Sequence, residues 1–246
     1  MKSVTESNGQ STYSNQKIVV TGGAGLLGKS LRLIKPDYVY LDRNAGDLRD
    51  SQAVARIFDR EKPDKIIHAA ARVGGIRDNV QFPYTYFADN VLINANVVDA
   101  AVKRKIPVIA ISSTCVFPKE SPTYPMTEDF ALQGEPEPTN YGYAFSKRLM
   151  QIQLETAKQQ FGYDFALLFL TNLYGENDDY EHETKAHLVT ALLKKMHVAK
   201  TTNAETVNLL GTGKPMRQFL HVWDAAQTII KIVENDVYDV FNVAPD

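Results

Sequence analysis

The sequence has little of what marks a secreted, membrane-spanning or nucleic-acid-binding protein. A single cysteine excludes an internal disulfide and a zinc site built from several cysteines, and it favours a reducing, cytoplasmic setting. The formal net charge of −2 offers no basic surface to nucleic acid or to an anionic membrane. No apolar run approaches the ~20 residues that a membrane-spanning helix requires. We therefore expect a globular protein that binds neither nucleic acid nor membrane and holds no metal.

Strand-like and helical patterns alternate along most of the chain. The first fifteen residues, "MKSVTESNGQSTYSN", are polar and lack the apolar segment of a secretory signal, so we expect residues 1–15 to form a disordered tail. The strand-like runs that follow are "KIVVTG", "YVYLD", "KIIHAAA", "IPVIAI" and "DFALLFLTN". Repeated β-α units predict a parallel sheet with helices on both faces. The predicted fold is α/β, a doubly wound sheet of the Rossmann type.

A glycine-rich turn, "VVTGGAGLLG", joins the first predicted strand to the first helix. Gly22, Gly25 and Gly28 are spaced three apart, which permits a tight turn and a close approach of backbone to phosphate. The helix that opens at Leu26 and Leu27 offers free N–H groups and the positive end of its dipole to a pyrophosphate. A plain strand-to-helix turn could carry two of these glycines, but the context predicts a dinucleotide site.

Charged residues follow the second predicted strand, in "YVYLDRNAGDLRD". Asp42 could hold a ribose diol, whereas Arg43 suits the 2′-phosphate of NADP. Because the two stand side by side, charge alone leaves NAD and NADP open, and a solvated charge pair is the structural alternative. Asp47 and Leu48, in "GDL", are candidates for contacts with the amino group and the face of an adenine.

Tyr143 and Lys147 stand four residues apart in "NYGYAFSKRLM", so they share one face of a predicted helix. The charge of Lys147 would lower the pKa of the phenol, and the lysine could also hold a cofactor ribose. Tyr143 would then act as an acid-base group near neutral pH. Ser113 follows the predicted strand "IPVIAI" and could hydrogen-bond a reacting carbonyl oxygen. Y-x-x-x-K alone is a weak pattern, but the serine makes the set more specific.

These motifs, together with "HAAA", "NVLINANVV", "SSTCVFP" and "TNLYG", resemble the extended short-chain dehydrogenase/reductase superfamily. Within it the chain is similar to the GDP-L-fucose synthase family, and the resemblance runs from about Lys17 to the last residue. The most specific stretches are "ARVGGI", "STCVFP", "TNLYGENDDY", "KAHLVTALL" and "GTGKPMRQFLHV". Most members of the superfamily lack the cysteine that follows the serine and the histidine of "AHL".

The resemblance implies two reactions on GDP-4-keto-6-deoxy-D-mannose: epimerisation at C3 and C5, then NADPH-dependent reduction at C4. It makes Cys115 the base and His187 the acid of the epimerisation, and both types of group titrate near neutral pH. Ser113 and Tyr143 would hold the enolate oxygen, and Tyr143 would give a proton during the reduction. The structural alternatives are a buried, inert thiol for Cys115 and an exposed helix histidine for His187.

The resemblance also implies a set of binding residues, a cofactor and an assembly. NADP(H) is the expected cofactor, held by the glycine loop, by the residues after the second strand, and by Ala69, Ala70, Ala71, Asn90, Tyr143 and Lys147. A GDP-sugar is the expected substrate, in contact with Asn172, His187, Leu188, Lys195 and Arg217. Lys195 and Arg217 would clamp its pyrophosphate, with solvated surface charges as the alternative. Asn90 is also expected to support the active-site backbone.

Two further expectations concern a histidine and the assembly. His68 lies in an apolar strand and is expected to be structural. The resemblance implies a homodimer through the helices from about Asn90 to Lys103 and Tyr143 to Phe161, and the apolar residues on more than one face of the first helix agree with it.

The chain departs from the family pattern in three places. Glu176 and Asn177 replace a stretch that usually contains proline, Leu210 replaces a frequent tryptophan, and family chains continue past the strand that ends at Val243. We expect a Rossmann domain over 16–176, part of a substrate lobe over 177–221, and a return to the Rossmann domain over 222–246 without the C-terminal remainder of the lobe. Two alternatives remain: another nucleotide-sugar epimerase or dehydratase of this fold, and a dinucleotide-binding regulator without catalysis.

Overall fold

The structure is a computed structural model that describes residues 16–121, 123–180, 187–209, 211–214 and 216–245. Its strands are β1 (Ile18–Thr21), β2 (Val39–Leu41), β3 (Lys65–His68), β4 (Val108–Ser113), β5 (Phe165–Leu170), β6 (Asn172–Tyr174), β7 (Phe219–His221) and β8 (Val240–Val243). Its helices are α1 (Leu26–Ile34), α2 (Ser51–Glu61), α3 (Ile76–Gln81), α4 (Pro83–Arg104), α5 (Tyr141–Phe161), α6 (Leu188–Thr201) and α7 (Val222–Glu234). The predicted tail, residues 1–15, lies outside the described residues.

The larger sheet is parallel throughout, with its strands in the order β2-β1-β3-β4-β5-β8. Val19 of β1 pairs with Val39 of β2 on one side and with Ile66 of β3 on the other, so β1 lies inside the sheet. Strands β1, β3 and β5 are buried along their whole length, as strands covered on both faces must be. The predicted parallel sheet is confirmed.

Helices cover both faces of this sheet. On one face Val54 of α2 and Leu154 of α5 belong to a buried apolar cluster, which also takes in α4. On the other face Leu31 of α1 belongs to a second cluster, which also takes in α7. Neighbouring side chains of one strand enter different clusters, Val19 the first and Val20 the second, because a strand alternates its faces. This is the predicted doubly wound arrangement.

The order of the strands creates a binding crevice at one edge of the sheet. Because β2 and β3 flank β1 on opposite sides, the first two crossovers diverge and leave a crevice beyond the carboxyl ends of β1 and β3. In open α/β sheets ligands bind at such a point. The glycine turn follows β1, the "AAA" segment follows β3, and the serine-cysteine segment lies at the end of β4 and just beyond it. The fold therefore brings three of the predicted motifs to one edge.

A second, two-stranded parallel sheet pairs β6 with β7. β6 comes directly after β5, and α7 comes directly after β7 and returns the chain to the larger sheet at β8. α6 lies between β6 and β7 in the sequence, in the region where a substrate lobe is predicted. The division at residues 176 and 221 stays a prediction.

The two long helices α4 and α5 start earlier than the sequence patterns suggested. α4 begins at Pro83 rather than near Asn90, since a proline in the first turn has no hydrogen bond to lose and its backbone angle already fits a helix. α5 begins at Tyr141 rather than Tyr143. No helix among the described residues is long and apolar enough to cross a membrane.

A chain of buried polar groups ties the sheet to both long helices. The Ala70 amide donates to Thr21 Oγ1 (3.2 Å), and Thr21 in turn lies 2.8 Å from Nδ1 of His68. On the other side of the ring, Nε2 lies 3.1 Å from Asn94 Oδ1, and Asn94 Nδ2 donates to the Ser146 carbonyl (3.3 Å). Burial and the nearby Lys147 charge lower the pKa of His68 to about 3, so the ring is neutral. As expected, His68 is structural.

Candidate active site

The glycine turn forms a backbone cradle that no other residue type could form. Gly22 has φ of +76°, and a Cβ on it would lie 2.8 Å from the Ala69 carbonyl carbon and 2.8 Å from the Ala70 nitrogen. A Cβ on Gly28 would lie 2.6 Å from the Gly23 Cα and closer still to the Gly22 carbonyl. The loop after β1 is therefore pressed against the loop after β3, which is the close packing that a dinucleotide turn requires.

The start of α1 presents backbone donors rather than side chains. Gly25 is the N-cap and makes no side-chain cap, so the first N–H groups of the helix stay open to an anion. Leu27 is buried in the second apolar cluster. A phosphate contact predicted for this residue is therefore possible only through its backbone N–H. Leu26 is partly buried against the same cluster. The cradle and the open helix end together fit a pyrophosphate.

The two carboxylates after β2 are both engaged within the chain. Asp42 Oδ1 accepts from the Asn44 amide (2.8 Å) and caps the short turn Arg43–Ala45. Asp47 accepts from the guanidinium of Arg49 (2.7 Å), and these bonds hold the pKa of its carboxyl below the usual value. Arg43 is exposed at the same edge. The contact of Asp47 with adenine stays a prediction. Both carboxylate oxygens already accept from Arg49, so an adenine amino group would have to share them.

An ion-pair network not foreseen from the sequence borders this region. Arg49 also contacts Asp89 of α4 (3.1 Å), and Asp89 contacts Arg72 (3.0 Å). Asn90, the next residue, is fully buried and binds the backbone of Arg72 through both ends of its amide (2.7 and 3.0 Å). Asn90 therefore supports the segment after β3 as expected. Its two amide N–H groups are engaged by the Arg72 and Tyr86 carbonyls, so its cofactor contact, which stays a prediction, could be made only through the oxygen.

Lys147 is a buried cation on α5 with a single hydrogen bond to the sheet. Its ammonium donates to the Ile111 carbonyl of β4 (2.8 Å) and lies 6.0 Å from the centre of the Tyr143 ring. Burial lowers the pKa of Lys147 to about 8. Burial raises the pKa of Tyr143, and the neighbouring Cys115 raises it further. The expected lowering of the phenol pKa by Lys147 is therefore absent from this arrangement, where burial first and Cys115 second act to raise it.

Ser113, Cys115 and Asn140 make a small cluster at the carboxyl end of β4. The Cys115 amide donates to Ser113 Oγ (3.3 Å), and Asn140 Nδ2 donates to the Cys115 sulfur (3.1 Å). Burial raises the pKa of the Cys115 thiol, and the Ser113 hydroxyl and the Arg217 charge act against that rise. The electrostatic effects of Cys115 on Tyr143 and of Arg217 on Cys115 place these side chains in one neighbourhood.

A buried arginine fixes the loop that carries the cysteine. Arg148 of α5 donates to the carbonyls of Val116 (2.6 and 2.8 Å), Gln133 (2.8 Å) and Gly134 (2.8 Å). The sequence analysis missed both Arg148 and Asn140, although both stand within five residues of Tyr143 in "TNYGYAFSKR". Arg148 lies on the same predicted helix as the catalytic pair, and Asn140 lies just before it; this closeness in sequence was the available signal.

His187 stands in front of α6 as part of a histidine-carboxylate pair. Its Nδ1 lies 3.3 Å from Asp178 Oδ1, and Thr190 donates to the other oxygen of Asp178. The Asp178 side chain is only 5% exposed. Although burial acts in the opposite direction, the bonds from His187 and Thr190 hold the pKa of Asp178 below its usual value. The pair fixes Nδ1 and leaves Nε2 of the ring without a described partner.

The other predicted substrate residues lie around the small sheet and α6. Asn172 Nδ2 donates to the Gln218 carbonyl (2.9 Å) and ties β6 to the segment before β7. Arg217 is exposed, and Lys195 donates to the Asn208 carbonyl (3.1 Å). Leu188, the first residue of α6, is exposed. Their contacts with a substrate stay predictions. Leu210, which replaces a frequent tryptophan of the family, lies outside the described residues.

A dinucleotide cradle beside a tyrosine, lysine and serine at the end of a central strand defines a class of sugar-nucleotide enzymes. The chain matches the model of the NAD dependent epimerase/dehydratase family over residues 18–244, and it belongs to that family. Within it, the chain belongs with the GDP-L-fucose synthases. It is 36% identical to the GDP-L-fucose synthase of Escherichia coli K12 over 228 residues, covering 90% of this chain and 70% of that protein.

Two further comparisons agree with this placement. The GDP-L-fucose synthase of Dictyostelium discoideum is 33% identical over 232 residues, covering 91% of this chain and 72% of that protein. The crystal structure of a GDP-L-fucose synthetase from Naegleria fowleri bound to NADP superposes with a TM-score of 0.83 at 30% identity, covering 94% of this chain and 77% of that one. The comparisons confirm the predicted family and do not favour the two alternatives.

The buried ammonium of Lys147 generates a prediction about stability against pH. The lysine pKa is about 8 in the folded chain and 10.5 for a free side chain, so the unfolded chain binds more protons between these values. The free energy of unfolding should therefore rise with pH across this window, by at most about 1.4 kcal/mol per pH unit. Denaturant unfolding of the wild type and of Lys147→Met, which lacks the titrating group, measures the difference. A difference that stays constant with pH would contradict the shift.

Proposed function

We propose that the protein acts as a GDP-L-fucose synthase, converting GDP-4-keto-6-deoxy-D-mannose by 3,5-epimerisation and NADPH-dependent 4-reduction. The observation that carries the proposal is the neighbourhood of Cys115 and Tyr143, beside Ser113 at the carboxyl end of β4. An oxidoreductase of this class needs only the tyrosine, lysine and serine. A cysteine in the same cluster adds a group that can take a carbon-bound proton, as an epimerase requires.

The cofactor proposed for the cradle is NADPH, which when bound supplies the hydride for C4 of the sugar. The backbone donors at the start of α1 would hold its pyrophosphate. Arg43 would bind the 2′-phosphate, since it is exposed while the neighbouring Asp42 carboxylate is occupied in capping its own turn. The NADP-bound relative from Naegleria fowleri supports this choice. Lys147, with three donor positions on its ammonium, would hold the nicotinamide ribose beside Tyr143.

The epimerisation would use Cys115 and His187 as a pair. The 4-keto group acidifies the protons at C3 and C5, so a thiolate at Cys115 can take a proton and leave an enolate on the 4-oxygen. Ser113 and Tyr143 would donate hydrogen bonds to that oxygen. His187 would return a proton from Nε2 to the opposite face, because the Asp178 carboxylate accepts from Nδ1–H and so leaves Nε2 as the atom that exchanges a proton with the substrate.

The reduction and the binding of GDP would use the remaining groups. Tyr143 would give its proton to the 4-oxygen as C4 is reduced. Its raised pKa keeps the phenol protonated before the reaction, and the Lys147 ammonium would favour the phenolate that remains. Arg217, exposed and close enough to act on Cys115, would bind the GDP pyrophosphate with Lys195. A thiol that must stay reduced supports a cytoplasmic location.

We also propose a homodimer formed through α4 and α5. The two helices lie side by side on one face of the sheet, where Val97, Val98 and Leu154 are fully buried. Their outer surface keeps Leu92 at 47%, Leu149 at 42% and Ile152 at 44% exposure. Neighbouring exposed apolar side chains on two adjacent helices form a surface that a second copy could cover.

The proposed reaction is tested by NADPH oxidation in the presence of GDP-4-keto-6-deoxy-D-mannose. We expect Tyr143→Phe to lower the rate by ~10²–10⁴ through loss of a positioned acid, while NADPH still binds. Tyr141→Phe is the matched control, because Tyr141 lies in the same turn of α5 and is exposed. Steady-state kinetics and NADPH fluorescence titration measure the two effects. No NADPH oxidation by the wild type, or a normal rate in Tyr143→Phe, would refute the proposal.

Cys115→Ser should separate the two reactions. A serine hydroxyl stays protonated near neutral pH and cannot replace the thiolate as base, but Ser113, Tyr143 and the cofactor cradle remain. The variant should reduce the substrate without epimerising it, giving a GDP-6-deoxyhexose other than GDP-L-fucose. Solvent deuterium should no longer enter C3 and C5, as product analysis by NMR in D₂O would show. GDP-L-fucose formed at the wild-type rate would mean that Cys115 is not the base.

Leu149→Glu should dissociate the proposed homodimer. A carboxylate at this position would be desolvated in the interface between two copies, whereas in a monomer it would lie in water. Leu33→Glu is the control, because Leu33 of α1 is exposed at 67% and lies on the other face of the sheet. Sedimentation at micromolar concentration should show a dimer for the wild type and the control, and a monomer for Leu149→Glu. A monomeric wild type would contradict the assembly.

A further inference from the structure

Asn140 occupies a helix-capping position without capping the helix. It is the N-cap of α5, yet its side chain makes no cap hydrogen bond. Asparagine is favoured at N-caps because its oxygen accepts from an amide in the first turn. Here Oδ1 is buried and accepts no hydrogen bond from the described part of the chain. The fold therefore does not explain why an amide side chain stands at this position.

The other end of the same amide faces the only sulfur nucleophile of the site. Asn140 Nδ2 donates to Cys115 Sγ at 3.1 Å. A neutral thiol is a weak acceptor, whereas bonds from a donor to an ionised group are shorter and stronger. A donor held on the sulfur therefore stabilises the thiolate more than the thiol. The unpaired oxygen shows that the amide is oriented toward the sulfur at the expense of its own pairing.

The surroundings of Cys115 show why such a donor is needed. Burial raises the thiol pKa, and the titratable groups that interact with the thiol are Tyr143 and Arg217. Only partial compensation comes from the Ser113 hydroxyl and from Arg217, which is exposed and screened by solvent. Arg148 lies one residue further along, on the Val116 carbonyl. The start of α5, where Asn140 lies, adds the positive end of a helix dipole.

We propose that Asn140 is a positioning residue of the epimerase half-reaction, whose amide N–H holds the Cys115 sulfur and favours its thiolate. The catalytic role inferred for Asn140 rests on the proposed function. The contact between Asn140 and the Cys115 sulfur does not depend on it. The reduction at C4 requires Tyr143 and Lys147 and should not depend on Asn140. A residue that only stabilised the fold would affect both reactions alike.

The direct test is the pH midpoint of Cys115 alkylation by iodoacetamide. Because the protein has one cysteine, the alkylated fraction reports on that thiol alone, in the folded protein and without substrate. We expect Asn140→Ala to raise the midpoint by about one pH unit, the effect of losing a hydrogen bond to a charged group. Asn140→Asp keeps the volume and should raise it further, because it also places a carboxylate beside the sulfur.

Asn235→Asp is the matched control. Asn235 lies at the end of α7, on the opposite face of the sheet, and its amide donates to the Lys231 carbonyl (2.7 Å). This change should leave the midpoint of Cys115 unaltered. An unchanged or lowered midpoint in Asn140→Ala would overturn the inference. If Asn140→Ala does not fold, as judged by thermal unfolding, Asn140→Leu decides by the same criterion, because it also removes the N–H, is close in size and adds no charge beside the sulfur.

The second readout separates this inference from the proposed function. In D₂O with substrate and NADPH, Asn140→Ala should incorporate solvent deuterium at C3 and C5 at least tenfold more slowly, with the rate restored as pH is raised. Its rate of C4 reduction should stay within about threefold of the wild type. Equal loss of both reactions would overturn the positioning role. If Asn140→Ala raises the midpoint of Cys115 alkylation but the wild type consumes no substrate, the effect of Asn140 on the thiol stands and the proposed function is refuted.

Discussion

The framework of the site rests on one chain of buried hydrogen bonds that runs from the sheet to both long helices. It joins the Ala70 backbone, Thr21, His68 and Asn94 to the Ser146 carbonyl, and so links β1, β3, α4 and α5. Each member is buried or nearly so, and each lost partner would leave a desolvated polar group. The parallel sheet places the strand ends side by side. The hydrogen bonds of Asn94 then join the end of β3 to α4 and α5.

Burial also determines the charge state of the groups that this framework holds. Tyr143 and Cys115 are both shifted toward their neutral forms, and Lys147 gives up its proton more easily than a free lysine. Lys147 is therefore the charged member of this group near neutral pH. The anionic cofactor and substrate of the proposed reaction would favour its protonated form further, because a nearby negative charge raises the pKa of an ammonium.

The sequence was most informative where function and backbone geometry coincide. Gly22 and Gly28 had to be glycine to let the backbone pack this closely, and their spacing, together with the strand before and the helix after them, predicted a dinucleotide turn. The alternation of apolar runs gave the parallel sheet, since strands covered on both faces leave an unbroken apolar signal. The hydrogen-bond partners of the side chains could not be predicted from the sequence. Nothing in "YGYAFSK" shows that Lys147 bonds to Ile111, and nothing in "GDLRD" shows that Asp47 bonds to Arg49. Such pairings depend on tertiary distances that single residue types do not encode.

The buried Arg148 binds the loop after β4 entirely through main-chain carbonyls. Every amino acid supplies a carbonyl, so this clamp places no demand on the side chains of Val116, Gln133 or Gly134. Other contacts do constrain two of these positions, since Val116 is fully buried and Gly134 has φ of +55° with Pro118 close to where a Cβ would stand. The exposed Gln133 can therefore be exchanged without loss of the carbonyl that Arg148 holds.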